Sequence, residues 1–350
     1  MIKVGIVGAT GYMGGEVLRI LLSHPEVHIA WASSRQAGDI AEFHPNLYGS
    51  EIQLTHPDEI TQVDLAFIAL PTEASINMTK RLLYMGAKIV DLGAAFRLND
   101  QQTWEDVYNM VHPNWGLSEQ AVYGISELHL EEIKQADIIA NPGCFSSAAI
   151  LGLAPLIEQQ LIDPEHIYIN GISGTAGVGA ELSRPAHHPE IGNNLVAYNV
   201  VDHRHSYEME QELSLLANKK VTVHFTPIYA PITRGIMNIC HVRPVQKPSR
   251  QQILDVFEKF YAKHPFVKVY DMPGSENDQW QYRPYPWISA IAGTNHCHIG
   301  LDIDEKRGSI VIFSVLDSIG KGGAQVGIEN MNLMFNLERT AGLTAYGQHP

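Results

Sequence analysis

The stretch Met1-Ile2-Lys3-Val4-Gly5-Ile6-Val7-Gly8-Ala9-Thr10-Gly11-Tyr12-Met13-Gly14 decides the fold. Lys3–Val7 is a short apolar run that reads as a buried strand, and glycines follow it directly, so the start predicts folded core rather than a signal peptide. From Glu16 to Leu22 the apolar residues recur at helical spacing. Strand, glycine loop and helix in this order give weight to the spacing G-x-x-G-x-x-G, a variant of the dinucleotide fingerprint. Glycine lets the main chain approach a pyrophosphate, and the helix start offers it N–H groups and the positive end of the dipole. Gly8, Thr10, Gly11, Tyr12, Met13 and Gly14 are therefore candidate cofactor-binding residues; a purely structural turn is the competing reading.

Outward from this motif, the first ~145 residues alternate short apolar runs with helical patterns, the βαβ signature of a parallel sheet covered on both faces. His28–Ala32, Leu65–Leu70, Lys88–Leu92 and Asp137–Ala140 continue the strand series, with Ala74–Tyr84 among the helices between them. From about residue 165 the runs become longer and richer in β-branched and aromatic residues: His166–Ile172, Val221–Tyr229, Gly235–Val242, Val267–Tyr270, Cys297–Ile303 and Ser309–Leu316. These predict a mainly antiparallel sheet. The fold class is thus α/β, a Rossmann-type doubly wound parallel sheet plus an α+β substrate and oligomerisation domain. Residues 1–145 and 319–350 are assigned to dinucleotide binding and 146–318 to catalysis, since the helical pattern Gln325–Leu337 can return to the first domain. Pro244–Trp287, with several prolines, reads as loops of unassigned role.

The end of the second strand selects the nucleotide. A site for NAD usually places an acidic residue there for the ribose diol, whereas this chain reads Ala32-Ser33-Ser34-Arg35. Two hydroxyls and a guanidinium suit a 2′-phosphate, which Arg grips with a charge-assisted fork. Ser33, Ser34 and Arg35 join the candidate set, and the cofactor expected is NADP(H).

Bulk properties narrow the partners. The formal net charge of -14 in 350 residues argues against nucleic acid or an anionic membrane surface. No apolar run is long enough to span a bilayer. Three cysteines, Cys144, Cys240 and Cys297, make no disulfide framework and suit a reducing compartment, so a soluble cytoplasmic protein is expected.

Cys144 follows the turn Asn141-Pro142-Gly143 and precedes a long helical pattern. A cysteine at a helix start feels unpaired N–H groups and the helix dipole, both of which favour thiolate. A buried structural cysteine is the alternative. A thiolate nucleophile usually needs an imidazole partner, and Asp202-His203-Arg204-His205 offers one. Alternation puts His203 and His205 on one face if the segment is extended. H-x-H is also a metal-ligand spacing, with His187 and His188 as further donors, but no carboxylate pattern accompanies it and no metal is expected.

With glycine loop, Ser-Ser-Arg, Asn-Pro-Gly-Cys and His-Arg-His in this order, the sequence resembles the N-acetyl-γ-glutamyl-phosphate reductases of arginine biosynthesis, within the aspartate-semialdehyde dehydrogenase superfamily. The likeness runs nearly end to end and includes Ala121-Val122-Tyr123-Gly124, Thr233-Arg234-Gly235-Ile236, Gly293-Thr294-Asn295 and Asn330-Met331-Asn332-Leu333-Met334-Phe335. It implies an oxidoreductase that takes an acyl phosphate to an aldehyde through a thioester on Cys144, with His205 as acid/base. Arg97 matches the arginine expected at the acyl phosphate, and Asn141, His203, Ser173 and Gly174 are further substrate-site candidates. The resemblance also implies homodimers or homotetramers.

Three departures stand out. Asp91-Leu92-Gly93-Ala94-Ala95-Phe96-Arg97 lacks a hydroxyl and a carboxylate usual in that block. Val178-Gly179-Ala180 lacks a common basic residue, and Ser318 replaces an asparagine expected at the cofactor. These bear on the acyl group more than on the reaction. Two alternatives stay open: a reductase of a carrier-protein-linked aminoadipyl or glutamyl phosphate, and a non-catalytic NADP-binding regulator. The retention of Cys144, His205 and Arg97 argues against the second.

Overall fold

The computed structural model describes residues 1–270, 285–304 and 306–349. By its packing the chain divides into two compact units, Met1–Pro142 with Gly323–Thr344, and Gly143–Gly322 with the residues from Ala345 on.

In the first unit β1 (Ile2–Val7), which the glycine loop follows, leads through α1 (Tyr12–Leu21) to β2 (Val27–Ser33) and the short β3 (Leu54–Thr55). Then come β4 (Leu65–Ile68), α2 (Thr72–Tyr84), β5 (Lys88–Asp91), α3 (Gln101–Tyr108), α4 (Trp115–Ser118), β6 (Ala121–Tyr123), α5 (Leu130–Gln135) and β7 (Ile138–Ala140). The strands form one seven-stranded sheet in the order β3-β2-β1-β4-β5-β7-β6, and every neighbouring pair is parallel. The crossover through α1 runs one way from the sheet centre and that through α2 the other. Right-handed crossovers then put these helices on opposite faces, the doubly wound Rossmann-like arrangement with its switch between β1 and β4.

The register does the most for function. Val7 pairs with Ser33 and with Ile68, Ile68 with Asp91, Asp91 with Ala140, and Ala140 with Tyr123. The carboxyl ends of these strands stand in one row. The glycine loop, Ser34-Arg35, Gly93–Arg97 and Asn141 all follow that row, so parallel pairing collects segments far apart in sequence at one sheet edge.

The second unit opens with α6 (Cys144–Glu158), followed by β8 (Ile162–Ser173), α7 (His188–Ile191), β9 (Val196–Ala197), α8 (Arg204–Ala217), β10 (Val223–Tyr229), β11 (Ile236–Pro244), α9 (Arg250–Tyr261), β12 (Val267–Val269), β13 (Cys297–Asp304) and β14 (Ser309–Leu316). Its seven-stranded sheet runs β12-β13-β14-β11-β8-β10-β9. The β13–β14, β14–β11, β11–β8 and β10–β9 pairs are antiparallel, while β12–β13 and β8–β10 are parallel, so the sheet is mixed but mostly antiparallel. The last helix, α10 (Gln325–Met334), belongs to the first unit, where it packs on α1 and α5.

α6 is apolar all round and buried from Phe145 to Ile157, as a helix must be when it lies on β8, β11 and β14 with α8 and α9 beside it. Pro155 inside it cannot donate to the Leu151 carbonyl. The Tyr261 hydroxyl of α9 donates to that oxygen instead, at 2.5 Å.

Three features differ from expectation. The division falls at Pro142/Gly143 and Gly322/Gly323 rather than at 145 and 318, because all of α6 packs on the second sheet and Gly322 lies against Cys144. The residues from 345 join the second unit, where Gly347 abuts the Ala290 carbonyl and His349 meets the Trp287 ring. Pro244–Trp287 is not all loop: Ser249 caps α9 in a capping box with Gln252, and the nearby prolines precede that start. Residues 271–284 of that region lie outside the described residues.

Candidate active site

The glycine loop has the geometry of a phosphate cradle. Gly8 has φ +80, and a Cβ there would lie 2.2 Å from the Ala69 carbonyl oxygen; a Cβ on Gly14 would lie 2.4 Å from the Gly8 oxygen. Only glycine fits either place. Gly11 caps α1 without any side-chain hydrogen bond, so the helix start faces outward through main chain alone. The loop is tied to β2 by the Gly8 and Ala9 N–H groups, which donate to the Ser33 carbonyl at 3.0 and 3.1 Å.

The candidates at this end separate by exposure. Ser33 is completely buried, whereas Ser34 is half-buried with its hydroxyl 3.4 Å from that of Thr10, and Arg35 is exposed. Tyr12 is also exposed, and Met13 half-buried, at the first turn of α1. Thr10, Ser34 and Arg35 are the polar side chains a nucleotide could reach, and no carboxylate stands among them. Sequence reasoning missed His44: buried, it donates from Nε2 to the Ala9 carbonyl at 2.9 Å, and its ring fills the space that a side chain on Gly15 would need. A histidine 35 residues downstream of Ala9 carries no local signal of that contact.

Further along the same strand ends, Arg97 is buried and donates to main chain from Nε to the Asn141 carbonyl at 2.8 Å and from Nη2 to that of Leu92 at 3.4 Å. Asn141 in turn donates its main-chain N–H to Asp91 and its side-chain amide to the Gly323 carbonyl at 2.9 Å. Asp91, also unremarked in the sequence, holds the loop that carries Arg97. Its carboxylate accepts from Ser75 Oγ at 2.5 Å and from the N–H groups of Gly93 and Ala95. Burial pushes its pKa up, opposed by the Ser75 bond and the Arg97 charge.

In the second unit, Cys144 is the first residue of α6, behind Gly143 as a cap with no side-chain bond. It is partly exposed, whereas Cys240 and Cys297 are buried. Burial pushes the Cys240 thiol up to about 12, which leaves it inert. Of the three, only Cys144 combines access with a helix start.

His205 lies against this turn. A Cβ on Gly143 would be 2.6 Å from His205 Nε2 and 2.9 Å from Glu208 Oε1, so the missing side chain is what lets both groups in. Glu208, one helical turn on from His205, is completely buried and accepts the Gly143 N–H at 2.9 Å. The expected extended alternation of His203 and His205 is not what joins them. Asp202 has φ +68, α8 starts at Arg204, and His203 is its cap, accepting the His205 N–H through Nδ1 at 3.1 Å. That fixes the His203 proton on Nε2, and burial beside Arg204 lowers its pKa to about 4. The two rings meet edge to face with centroids 4.8 Å apart. Tyr198 and Tyr229 stack in parallel at 4.0 Å, and the Tyr198 ring meets His203.

The strand ends of the second sheet carry the remaining candidates. Ser173 ends β8, buried, with its hydroxyl donating to the Gly174 carbonyl. Gly174 abuts the Thr233 main chain, where a Cβ would sit 2.6 Å from the carbonyl oxygen. Ser318 is buried in this second unit and its Oγ accepts the Gly235 N–H at 3.2 Å, so its hydroxyl serves the β11 turn. Buried Asp317 pairs with Arg234 at 2.9 Å. His187 and His188 are exposed at α7, and among the described residues no three His, Cys, Asp or Glu side chains gather in a way that could hold a metal ion.

Two family models cover most of the chain: the semialdehyde dehydrogenase NAD binding domain matches residues 3–136 and the semialdehyde dehydrogenase dimerisation domain residues 144–318. Among solved structures the chain resembles aspartate semialdehyde dehydrogenase II of Vibrio cholerae, with a TM-score of 0.69 and 17% identity over 96% of this chain and 98% of that one. It also resembles the NADP complex of the Candida albicans enzyme, with a TM-score of 0.63 and 15% identity over 96% and 98%. These likenesses show the fold. Curated relatives go further: N-acetyl-gamma-glutamyl-phosphate reductases of Moorella thermoacetica and Methanopyrus kandleri are 40% and 38% identical, each over 100% of both chains. The chain belongs to the N-acetyl-gamma-glutamyl-phosphate reductase family.

Proposed function

We propose that this protein reduces N-acetyl-L-glutamyl 5-phosphate to N-acetyl-L-glutamate 5-semialdehyde and phosphate, with NADPH as reductant, in arginine biosynthesis. One observation carries the chemical part of this reading: the accessible thiol at the start of α6 stands at a turn whose glycine admits His205 and Glu208.

The Cys144 thiolate attacks the acyl carbon, the C–O bond to phosphate breaks, and a thioester remains on the protein. A thioester accepts hydride far more readily than a carboxylate, so the covalent step divides a difficult reduction in two. The Gly8–Gly14 loop would hold NADPH, with Ser34 and Arg35 toward a 2′-phosphate, and the bound nucleotide would supply that hydride. Collapse of the resulting tetrahedral carbon expels the thiolate and frees the aldehyde. His205 handles the thiol proton, and buried His203, neutral at physiological pH, keeps the helix start that carries His205 in place. Arg97 supports the reaction by holding the Asn141 carbonyl and thus the turn before the nucleophile.

The second sheet leaves one face half-open, where Ile172, Ile228, Met237, Ile239, Val311 and Phe313 share the surface with exposed Tyr168, His224 and His241, and we assign a second copy of the chain to that face. No described helix is long and apolar enough to cross a membrane, and the three free cysteines suit the cytoplasm.

The reverse assay tests the substrate. Purified protein with NADP, phosphate and free N-acetylglutamate 5-semialdehyde is expected to form NADPH. Turnover only with a carrier-linked semialdehyde would move the enzyme to lysine-type biosynthesis, and turnover with neither would sink both enzyme readings.

A further inference from the structure

His44 has no part in the reaction scheme, yet it is buried against the loop that would hold the nucleotide. It lies on the chain between β2 and β3, where a capping box of Asp39 and Glu42 opens the 3₁₀ turn Ile40–Glu42 and the His44 N–H donates to the Ile40 carbonyl at 3.0 Å. Ile40 and Leu47, before and after it, are buried. The base of the segment is closed by the Ile40 N–H on the Ile52 carbonyl at 3.0 Å, the Leu54 N–H on that of Gly38 at 2.9 Å, and the Gln53 amide on Asp39 at 2.9 Å. These bonds fix where the imidazole stands. Its Nε2 donates to the buried Ala9 carbonyl at 2.9 Å, and its ring occupies the place of a Gly15 side chain, 2.4 Å from where that Cβ would be. A trans peptide sets its N–H opposite its C=O, so an Ala9 carbonyl held toward His44 turns the Thr10 N–H the other way. That N–H donates to no acceptor among the described residues.

We propose that His44 is a positioning residue for the dinucleotide: by holding the Ala9 carbonyl behind the loop, it keeps the Thr10 N–H turned toward the pyrophosphate. The proposal rests on the glycine loop being the nucleotide site. Without the imidazole donor a buried carbonyl loses its partner, and a flip of the Ala9–Thr10 peptide is the local way to find another. The flip replaces an N–H donor at the anion site by a carbonyl oxygen, which repels phosphate. The loss then falls on every ligand that brings a pyrophosphate, with or without a 2′-phosphate. That separates His44 from Arg35, whose guanidinium is expected to read the 2′-phosphate alone. Gly15 belongs to the same device, because its missing side chain is what admits the ring.

The test is a fluorescence titration of the purified protein with NADPH and with NADH, in the absence of acyl phosphate. His44→Ala is expected to raise both Kd values about tenfold, so that their ratio stays within about twofold of wild type. His44→Gln keeps an N–H donor on a side chain of similar reach, and is expected to restore NADPH binding to within about threefold of wild type. Rescue by the amide separates the hydrogen bond from mere filling of space. His44→Ala binding NADPH as wild type overturns the proposal, and so does His44→Gln binding as weakly as His44→Ala. A loss confined to NADPH also overturns it, since that places the effect at the 2′-phosphate. Gly11→Asp marks the reading beneath: aspartate is a good helix cap, so the fold is kept, but its carboxylate occupies the anion site. If Gly11→Asp loses NADPH while His44→Ala does not, the proposal alone falls; if Gly11→Asp binds NADPH as wild type, the glycine-loop site falls and His44 with it. Should His44→Ala not fold, Gly15→Ala displaces the ring while adding a residue that a helix favours. Weaker binding of both nucleotides is expected there as well, and binding as in wild type overturns the proposal.

Discussion

Two helix starts in this molecule are built alike and put to different uses. α1 and α6 each follow a parallel strand, and each has a glycine cap in extended conformation with no side-chain bond, Gly11 at φ -80 and Gly143 at φ -69. The difference lies in what surrounds the cap. At α1 side chains are withdrawn: glycines stand at 8, 11 and 14, Ser33 is buried, and His44 props the loop from behind through the Ala9 carbonyl. The start is left to an incoming anion. At α6 the site is furnished from within by a thiol at the first helical position, with His205 and Glu208 closed over the glycine. A helix N-terminus favours negative charge in both cases. Whether that charge arrives with a ligand or is made on the protein depends on the neighbouring side chains.

The comparison can be broken most sharply at the thiol. Cys144→Ala is expected to lower kcat by about 10⁴-fold or more while leaving NADPH binding as in wild type; aldehyde formation at ordinary rates in a stopped assay would remove the covalent mechanism. Next comes Gly143→Ala. Its φ is ordinary, so the methyl group strains no backbone and acts only by meeting His205 and Glu208. A loss of roughly a hundredfold in kcat with an unchanged Kd for NADPH is expected from displaced catalytic geometry.

At the other helix start, Arg35→Asp should weaken NADPH about tenfold and leave NADH nearly unaffected, because an exposed guanidinium makes a screened but charge-assisted contact. Equal effects on both nucleotides, measured by fluorescence titration, would show that Arg35 does not read the 2′-phosphate.

The smallest effect is on stability. His203 has its pKa lowered from 6.5 to about 4 in the fold, chiefly by burial. Between those values the unfolded chain binds a proton that the native chain refuses, so stability falls as pH drops from about 6.5 toward about 4. His203→Asn, which keeps a capping acceptor, should flatten the fall in melting temperature between pH 7 and pH 5. It removes only part of the slope, since burial lowers His24, His112 and His298 in the same direction.

How far each helix start could be read in advance follows from how local its signals are. The glycine loop and the turn before Cys144 are contiguous strings, and periodicity marks the strand before and the helix after each. The family blocks are strings as well, which is why the reaction was legible. In Pro244–Trp287 the prolines give the composition of loop, yet Pro248 stands just ahead of the cap at Ser249 and so marks a helix start. The H-x-H spacing suits an extended segment, but the His203–His205 pair is held by a cap, because Asp202 turns the chain and the imidazole supplies the acceptor that α8 needs.

The sequence by itself determined the βαβ alternation, the glycine loop, the cysteine proposed as nucleophile and the absence of a carboxylate after the second strand, because each rests on neighbours along the chain. Only the tertiary structure decided that Ser33 is buried while Ser34 and Arg35 are not, and that Arg97 grips main chain. It also decided that Asp91, His44 and Glu208 support the site. Those assignments depend on strand register and helix packing, which bring together groups tens of residues apart that no local pattern links.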